Sequence, residues 1–472
     1  MLRYKVYAVV THPKFPVVAF YLSLLLYCLG WYALCNPGLI SKPAYLNSNA
    51  YNPTYQSALI DNYVSSKSMK EFIQWNGTDV YYAHIRAPRT IGKDCLVLLF
   101  SYGQGRIGEE LALSIKRYME SQTWGGDLLI ILYKNEPYAK SFRNFYNWAE
   151  GRFGVFRGFF DFDISEPYSY ITISGEGMNG IQTDLDQVEI VNIIASKSGL
   201  HYTYPIPVKN LIENLEYSLR TWINLLDGNV HNPHSYLLNR NQHAIKIYSS
   251  LVKRRQSLDP LAVLKLIEMI IRSFTSCEEK LHFGIYFFYY SAPKLIVPLS
   301  HYAYILVSFA VALMFQATLI LREHPWEAKG AIFTLWPYFI GYLVYKLILP
   351  QCGNDISSVK LLLLLLGIIP CKKTLTYKAY SNLALSTSIA IMGISNFPIG
   401  LFLAIIVPFK ILIKPYRSVF ILSLLLGIIL ALSLQVDFKN IAEVESCSGH
   451  RLLGYALIAL FPNICHILNS FA

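Results

Sequence analysis

Residues 95–133 read CLVLLFSYGQGRIGEELALSIKRYMESQTWGGDLLIILY. Two apolar runs, CLVLLFS and DLLIILY, have strand length, and between them EELALSIKRYME repeats its apolar residues at helical spacing. A strand buried on both faces shows no in–out alternation. Two such runs joined through a helix therefore predict parallel neighbours with helices packed on the faces of the sheet. The same pattern continues outward. VYYAHIRA (80–87) and YSYITIS (168–174) are further strand-length runs, and KSFRNFYNWAE (140–150) is a further helix. KNLIENLEYSLRTWINLLDG (209–228) and DPLAVLKLIEMIIRSFTSCEEK (259–280) read as longer helices. The fold class predicted is one α/β domain over residues 36–294, with a mostly parallel sheet and flanking helices, large enough for its own core.

The flanks of this domain differ in composition. The 472-residue chain is 54% hydrophobic and 15% charged, against about a quarter charged in soluble domains, so much of it is expected to face lipid. The net charge is +11, but Lys and Arg flank apolar segments instead of clustering, which argues for membrane topology and against a nucleic-acid partner. Val17–Cys35 is uncharged and long enough to cross a bilayer core. Its length, and the lack of an A-x-A site after it, favour an uncleaved transmembrane anchor at 17–35 over a signal peptide. Residues 1–16, with Arg3, Lys5 and Lys14, are then the cytosolic N-terminus. Past residue 294 the chain is almost continuously apolar, and spans are expected near 297–321, 331–349, 359–370, 380–396, 398–413, 418–435 and 452–469. The region 295–472 thus forms a bundle of about seven helices, and the anchor makes about eight. With the α/β domain lumenal, Arg322, Lys329, Lys372, Lys373, Lys378, Lys414 and Arg417 all fall on the cytosolic side, as the positive-inside bias requires.

Several clusters could carry chemistry. A dinuclear zinc hydrolase of the aminopeptidase kind needs His and carboxylate ligands at strand ends. CLVLLFS is followed by YGQGRIGEE, with no His or Asp at the turn, and DLLIILY by KNEPY, where Glu136 is the only carboxylate. No complete metal site, and no catalytic residue, is expected. Eight cysteines in so long a chain form no disulfide framework, and no CxxC pair suggests zinc. GEGMNGIQTDLD (175–186) has G-x-G-x-x-G spacing between a strand-like and a helix-like run, but no Gly-Lys-Ser/Thr follows. Its residues read as a turn with an N-cap at Thr183 or Asp184 for the next helix, with ligand contact as the rival. His231 and His234 are read on a Pro-containing loop, NVHNPHSY, as hydrogen-bonded histidines, since they are too few ligands for a metal. Asn76-Gly77-Thr78 is an N-glycosylation sequon. Cys352 and Cys447 fall in predicted lumenal loops, where a bridge is permitted. The aromatic stretch Phe283–Tyr290 suggests a segment docking the domain onto the bilayer. In the last span Pro462, Asn463 and His466 put polar demands at membrane depth, met by a neighbouring helix or by a polar ligand.

In combination these features resemble the Gaa-type subunits of the glycosylphosphatidylinositol (GPI) transamidase. VYYAHIRAPRTIGKDCLVLLFS looks like that family's "I-x-R-A-P-R" strand and the core strand after it. The family pattern "E-G-x-N-G-x-x-P-N-x-D" is matched at Glu176, Gly177, Asn179, Gly180 and Asp186, with Thr183 and Asp184 in place of its Pro-Asn. HNPHSY resembles its "G-x-H-x-x-F" loop through His234, and EMIIRSFTSCEEKLHFGIYFFYY resembles a further stretch at Arg272, Ser273, Glu279 and His282. The resemblance implies an aminopeptidase-like lumenal domain without the zinc ligands, no cofactor, and a non-catalytic subunit of the endoplasmic-reticulum membrane. It implies as partners the other transamidase subunits, a cysteine-protease-like catalytic subunit among them. It also implies binding of GPI lipid, with Pro462 at the place of a family proline in the lipid-recognising last span, and precursor proteins bearing a C-terminal GPI signal. Two rivals stand beside it: an active membrane zinc aminopeptidase, and a transporter, which the near absence of ionisable residues in the spans disfavours.

Overall fold

The computed structural model describes residues 14–43, 59–88, 94–136, 139–165, 170–198, 200, 211–228, 231–250, 259–275, 288–292, 295–323, 328–343, 375–412 and 462. In chain order the elements begin with α1 (Phe15–Cys35), β1 (Lys42–Pro43), β2 (Ile73–Gln74), β3 (Val80–Ile85) and β4 (Asp94–Tyr102). There follow α2 (Gly108–Glu120), β5 (Asp127–Lys134), α3 (Lys140–Ala149), β6 (Val155–Asp163), β7 (Tyr170–Ser174) and α4 (Leu185–Lys197). Next come α5 (Leu211–Asp227), α6 (Pro233–Asn239), β8 (Ala244–Ser250), α7 (Pro260–Thr275), β9 (Phe288–Ala292) and β10 (Leu295–Pro298). The last are α8 (Leu299–Glu323), α9 (Ala328–Leu343), α10 (Leu375–Ser395), α11 (Phe397–Ile405) and α12 (Val407–Leu412). The chain divides into two compact units, Ser41–Pro298 and Met1–Ile40 with Leu299–Ala472.

The first unit is built on a seven-stranded sheet in the order β2-β3-β5-β4-β6-β8-β7. The expected strand–helix–strand unit is present: β4 and β5 are parallel, and β6 and β8 extend the parallel part beyond β4. The sheet is nevertheless mixed, which corrects the expectation of a mostly parallel one. On one flank β2 and β3 form a hairpin, and β3 runs antiparallel to β5. On the other, β7 (the YSYITIS run) runs antiparallel to β8. The hairpin turns at Asn76 and Gly77, both with positive φ (46° and 68°), and Thr78 N–H donates to the Trp75 carbonyl at 2.9 Å. Asn-Gly is the pair best suited to that two-residue turn.

One face of the sheet is apolar over its central positions. Leu96, Leu98 and Phe100 of β4, Ile130 and Leu132 of β5, and Phe160 and Phe162 of β6 join the core with residues of α2, α4 and α7. Because side chains alternate along a strand, the intervening positions share the other face. There the register sets Ser101 opposite Tyr133, Asp161 opposite Lys246, and Ser174 opposite Lys246. An apolar underside and a polar upper row thus follow from strand period alone.

A small sheet, β1-β10-β9, holds the end of the aromatic stretch. Tyr289 and Tyr290 are buried (1% and 6% exposed); Tyr289 packs on Trp222 and the Tyr290 hydroxyl donates to Glu189 at 3.0 Å. Residues 288–290 therefore belong to the domain's interior and not to a bilayer-docking surface. Phe283, Tyr286 and Phe287 lie outside the described residues.

In the second unit, α1 packs on α8 where Gly30 admits a close approach: a Cβ there would meet Phe309 Cε1 at 2.8 Å. Asn382 of α10 donates to Gln316 of α8 at 2.8 Å and Ser386 to the Ala310 carbonyl at 2.9 Å, the small-residue and polar contacts that join helices in lipid. Among the described residues two helices, Phe15–Cys35 and Leu299–Glu323, are long and apolar enough to cross a membrane. α9 and α10 fall on the expected spans 331–349 and 380–396, but α9 has 16 residues and α10 carries several hydroxyls and Asn382. The expected span 398–413 is broken at Ile406 into α11 and α12, where Pro408 lacks the N–H that would continue the ladder. The spans 359–370, 418–435 and 452–469 lie outside the described residues, except for Pro462, which is helical and buried.

Candidate functional site

The polar row ends in two linked clusters. In the first, Asp163 at the end of β6 is surrounded by cations and a hydroxyl. Ser101 Oγ donates to its Oδ1 at 2.7 Å, Arg106 Nε lies 3.3 Å from Oδ1, and Lys246 Nζ lies 3.0 Å from Oδ2. Lys246 also donates to Asn232 Oδ1 at 2.8 Å. Burial pushes the Asp163 carboxyl up, but Lys246, the Ser101 hydrogen bond and Arg106 outweigh it and hold the group below the ordinary carboxylate range. In the second cluster, Tyr133 donates to Asp161 Oδ1 at 2.7 Å, and His234 Nδ1 faces Asp161 Oδ2 at 3.7 Å. Asp161 and His234 are fully buried. Burial, then the Asp161 charge, raises the Tyr133 phenol well above its usual value.

The glycine-rich turn leads into this second cluster. His234 Nε2 donates to the Glu176 carbonyl at 3.2 Å, Met178 N–H to Ser235 Oγ at 3.1 Å, and Asn179 Nδ2 to Asn239 Oδ1 at 3.4 Å. Inside the turn, Gly177 N–H reaches the Ile181 carbonyl at 2.8 Å and Thr183 N–H the Gly175 carbonyl at 2.9 Å. The glycines are required by space: a Cβ at Gly175 would meet Thr183 Cγ2 at 2.6 Å, and one at Gly177 would meet Leu238 Cδ1 at 2.8 Å. Asp184 caps α4, accepting from Asp186 N–H at 3.2 Å. Asp186 itself is buried in the first turn of that helix.

The motif residues therefore separate. Glu176, Gly177, Asn179, Gly180 and Asp186 lie in or just beyond the turn, and His234 meets them from α6. HNPHSY is not a loop, as its proline suggests, because Pro233 occupies the first helical turn of α6, where its missing N–H costs nothing. His231 is exposed, apart from buried His234. Arg272 lies elsewhere, bound to Glu268 at 2.7 Å and to the Tyr118 hydroxyl at 3.1 Å on the apolar side of the sheet. Asn76 is exposed at its hairpin turn. Glu279, His282, Cys352, Cys447, Asn463 and His466 lie outside the described residues. Sequence reasoning missed Asp161, Asp163 and Lys246. Their signal was present in VFRGFFDFD and AIKIYSS, where charges sit at alternate positions of otherwise apolar strands.

The donor set does not fit a divalent metal. Asp163, the carboxylate that would be asked to ligate, already has Lys246 and Arg106 on it, and a third cation would be repelled by both. Asp161 is held by Tyr133 and faces an imidazole. Glu136 accepts from Ser141 at 2.8 Å. No group of three or more His, Cys, Asp or Glu side chains suited to a metal occurs among the described residues.

Comparison with known proteins gives a family and, among solved structures, a crystal structure with partial similarity. Residues 76–334 match the family model described as Gaa1-like, GPI transamidase component. A crystal structure of a candidate Zn-dependent exopeptidase from Bacteroides vulgatus is similar at 11% identity and a TM-score of 0.26, covering 53% of this chain and 95% of that one.

Proposed function

This chain belongs to the Gaa1-like family of GPI transamidase components, and from that membership we propose that it acts as a non-catalytic membrane subunit that presents GPI lipid and helps assemble the complex. The observation that carries the reading is the family match across residues 76–334, which takes in both clusters of the polar row. The non-catalytic part draws support from Asp163, whose two carboxylate oxygens are neutralised by Lys246 and Arg106 and are not offered to a metal or a water. Bond chemistry is then the work of a separate, cysteine-protease-like subunit, and this chain's place is the endoplasmic-reticulum membrane with its α/β domain in the lumen. An aminopeptidase-like ancestry for that domain is part of the same proposal.

Depletion of the protein tests it. Surface GPI-anchored proteins should fall and precursors with intact C-terminal signals should accumulate; normal anchoring after depletion would refute the reading. Lipid recognition is placed at the last expected span, around Pro462 with Asn463 and His466. Pro462→Leu should lower recovery of GPI lipid with the purified complex while leaving the α/β domain folded, and unchanged recovery would remove that assignment. Stoichiometric zinc in the purified protein, together with peptide hydrolysis, would favour the enzyme instead.

A further inference from the structure

Helix α5 carries apolar side chains on two faces. The inner face seats Tyr217, Trp222 and Leu225, all buried, and Trp222 packs edge-on against Tyr289 of β9 with ring centroids 5.7 Å apart. The outer face has no such partner. Ile212, Leu219 and Ile223 are 78%, 44% and 55% exposed. With half-buried Leu215 and Leu226 they recur at steps of three and four residues. Single exposed aliphatics are ordinary on a protein surface, but a row of them along one helical stripe is the pattern of a face that another surface covers. The row is also surplus to folding, since the inner face already anchors the helix.

The charges beside the row decide what would cover it. Glu213, Glu216, Arg220 and Asp227 lie to one side of the stripe, three carboxylates to one guanidinium, and α5 has no lysine. Asp227 stands in the last turn, where the helix dipole disfavours a carboxylate, so helix stability does not account for it. A bilayer surface fits poorly, because helices that lie in the interface present a broad apolar face and are held by Lys and Arg. A second copy fits poorly as well: antiparallel two-fold pairing would set the acidic flank against itself. A narrow stripe with three- and four-residue steps is instead the seam of a helix pair. Charge complementarity then asks for Lys or Arg beside the partner's own apolar row.

We propose that the outer face of α5, centred on Ile212, Leu219 and Ile223, is a docking surface for an amphipathic helix with a basic flank, carried by a different polypeptide. The inference rests on α5 alone and is tested apart from the transamidase reading.

Photocrosslinking tests it, with p-benzoylphenylalanine at position 219 of the full chain and irradiation in the protein's own membranes before purification. The expected adduct joins a segment of another polypeptide in which peptide mapping finds apolar residues at three- and four-residue steps with Lys or Arg beside them. Glu216→Lys combined with Asp227→Lys should lower its yield about fivefold or more, and both residues are exposed, so the fold is kept. The same probe at Asn224, exposed but turned away from the row, should give little or none of it. Adducts confined to lipid would give the face to the bilayer, and adducts joining two copies would make it a self-association surface. Adducts within the chain, adducts to a segment without that pattern, or none at all would leave the face without such a helix. Each of these outcomes overturns the proposal, and so does a yield that the two lysines leave unchanged.

Discussion

Asp163 is a largely buried carboxylate at the end of β6, held between Lys246 and Arg106. Its carboxylate is held below its ordinary range, with Lys246 the strongest of the groups lowering it, so the unfolded chain takes up the proton first on acidification. The stability it contributes is therefore complete above the unfolded value of about 3.9 and is lost as the pH falls through the lower folded value. Thermal unfolding of the full chain in detergent, followed by tryptophan fluorescence, should show this as a steep loss of melting temperature below about pH 4. Asp163→Asn should flatten that limb and cost about 2–4 kcal/mol at neutral pH, because Lys246 and the half-buried Arg106 are left beside a neutral amide. Parallel acid limbs in the two proteins would show that Asp163 does not carry the effect. Lys246→Met combined with Asp163→Leu should cost less than the sum of the single changes, since neither partner is then orphaned. The residues of this cluster were readable in principle. A lone Lys or Asp in a strand is ambiguous, however, until the register pairs Asp161 with Lys246 and brings Ser101 and Arg106 to Asp163.

At the level of elements, the turn 175–186 acts as a clasp between β7, α4 and α6. Its contacts with α6 run through Glu176, Met178 and Asn179, so disturbing the turn disturbs the setting of His234. Gly177→Ala should cost about 1–3 kcal/mol, because its Cβ would meet both Leu238 Cδ1 at 2.8 Å and Leu238 Cβ at 3.0 Å. Asn179→Gly should be milder, since at φ 60° glycine tolerates the left-handed backbone and only the weak Asn239 hydrogen bond is lost. Chemical denaturation of the two variants gives the order directly, and an equal or reversed order would contradict the clasp. The helices and central strands were legible because burial imposes a period on them. Antiparallel pairing at the flanks was not, since YSYITIS looks the same in either direction and its partner β8 lies about seventy residues away in sequence. Helix α6 was misread because proline marks both loops and first helical turns, and only the backbone tells which.

For the molecule as a whole, charge placement makes a claim about sidedness that geometry alone does not. Arg3, Lys5 and Lys14 precede α1, and the basic loops of the apolar region fall on the same side as that N-terminus when the α/β domain is lumenal. Asn76 offers a built-in reporter. It is exposed at the tip of the β2–β3 hairpin, in a sequon whose Thr78 hydroxyl donates to the Trp75 carbonyl at 2.7 Å. Glycosylation enzymes act only in the lumen, so a mobility shift on endoglycosidase treatment would place the domain there. The control must remove the sequon without breaking the hairpin. Asn76→Gly does so, because φ at this position is 46° and glycine adopts it freely. The shift should vanish in Asn76→Gly while its melting temperature stays close to that of the wild type. In sealed microsomes the same domain should resist added protease until detergent is present. Digestion before detergent would put it in the cytosol, away from any lumenal substrate, and would separate family membership from the arrangement proposed for this chain.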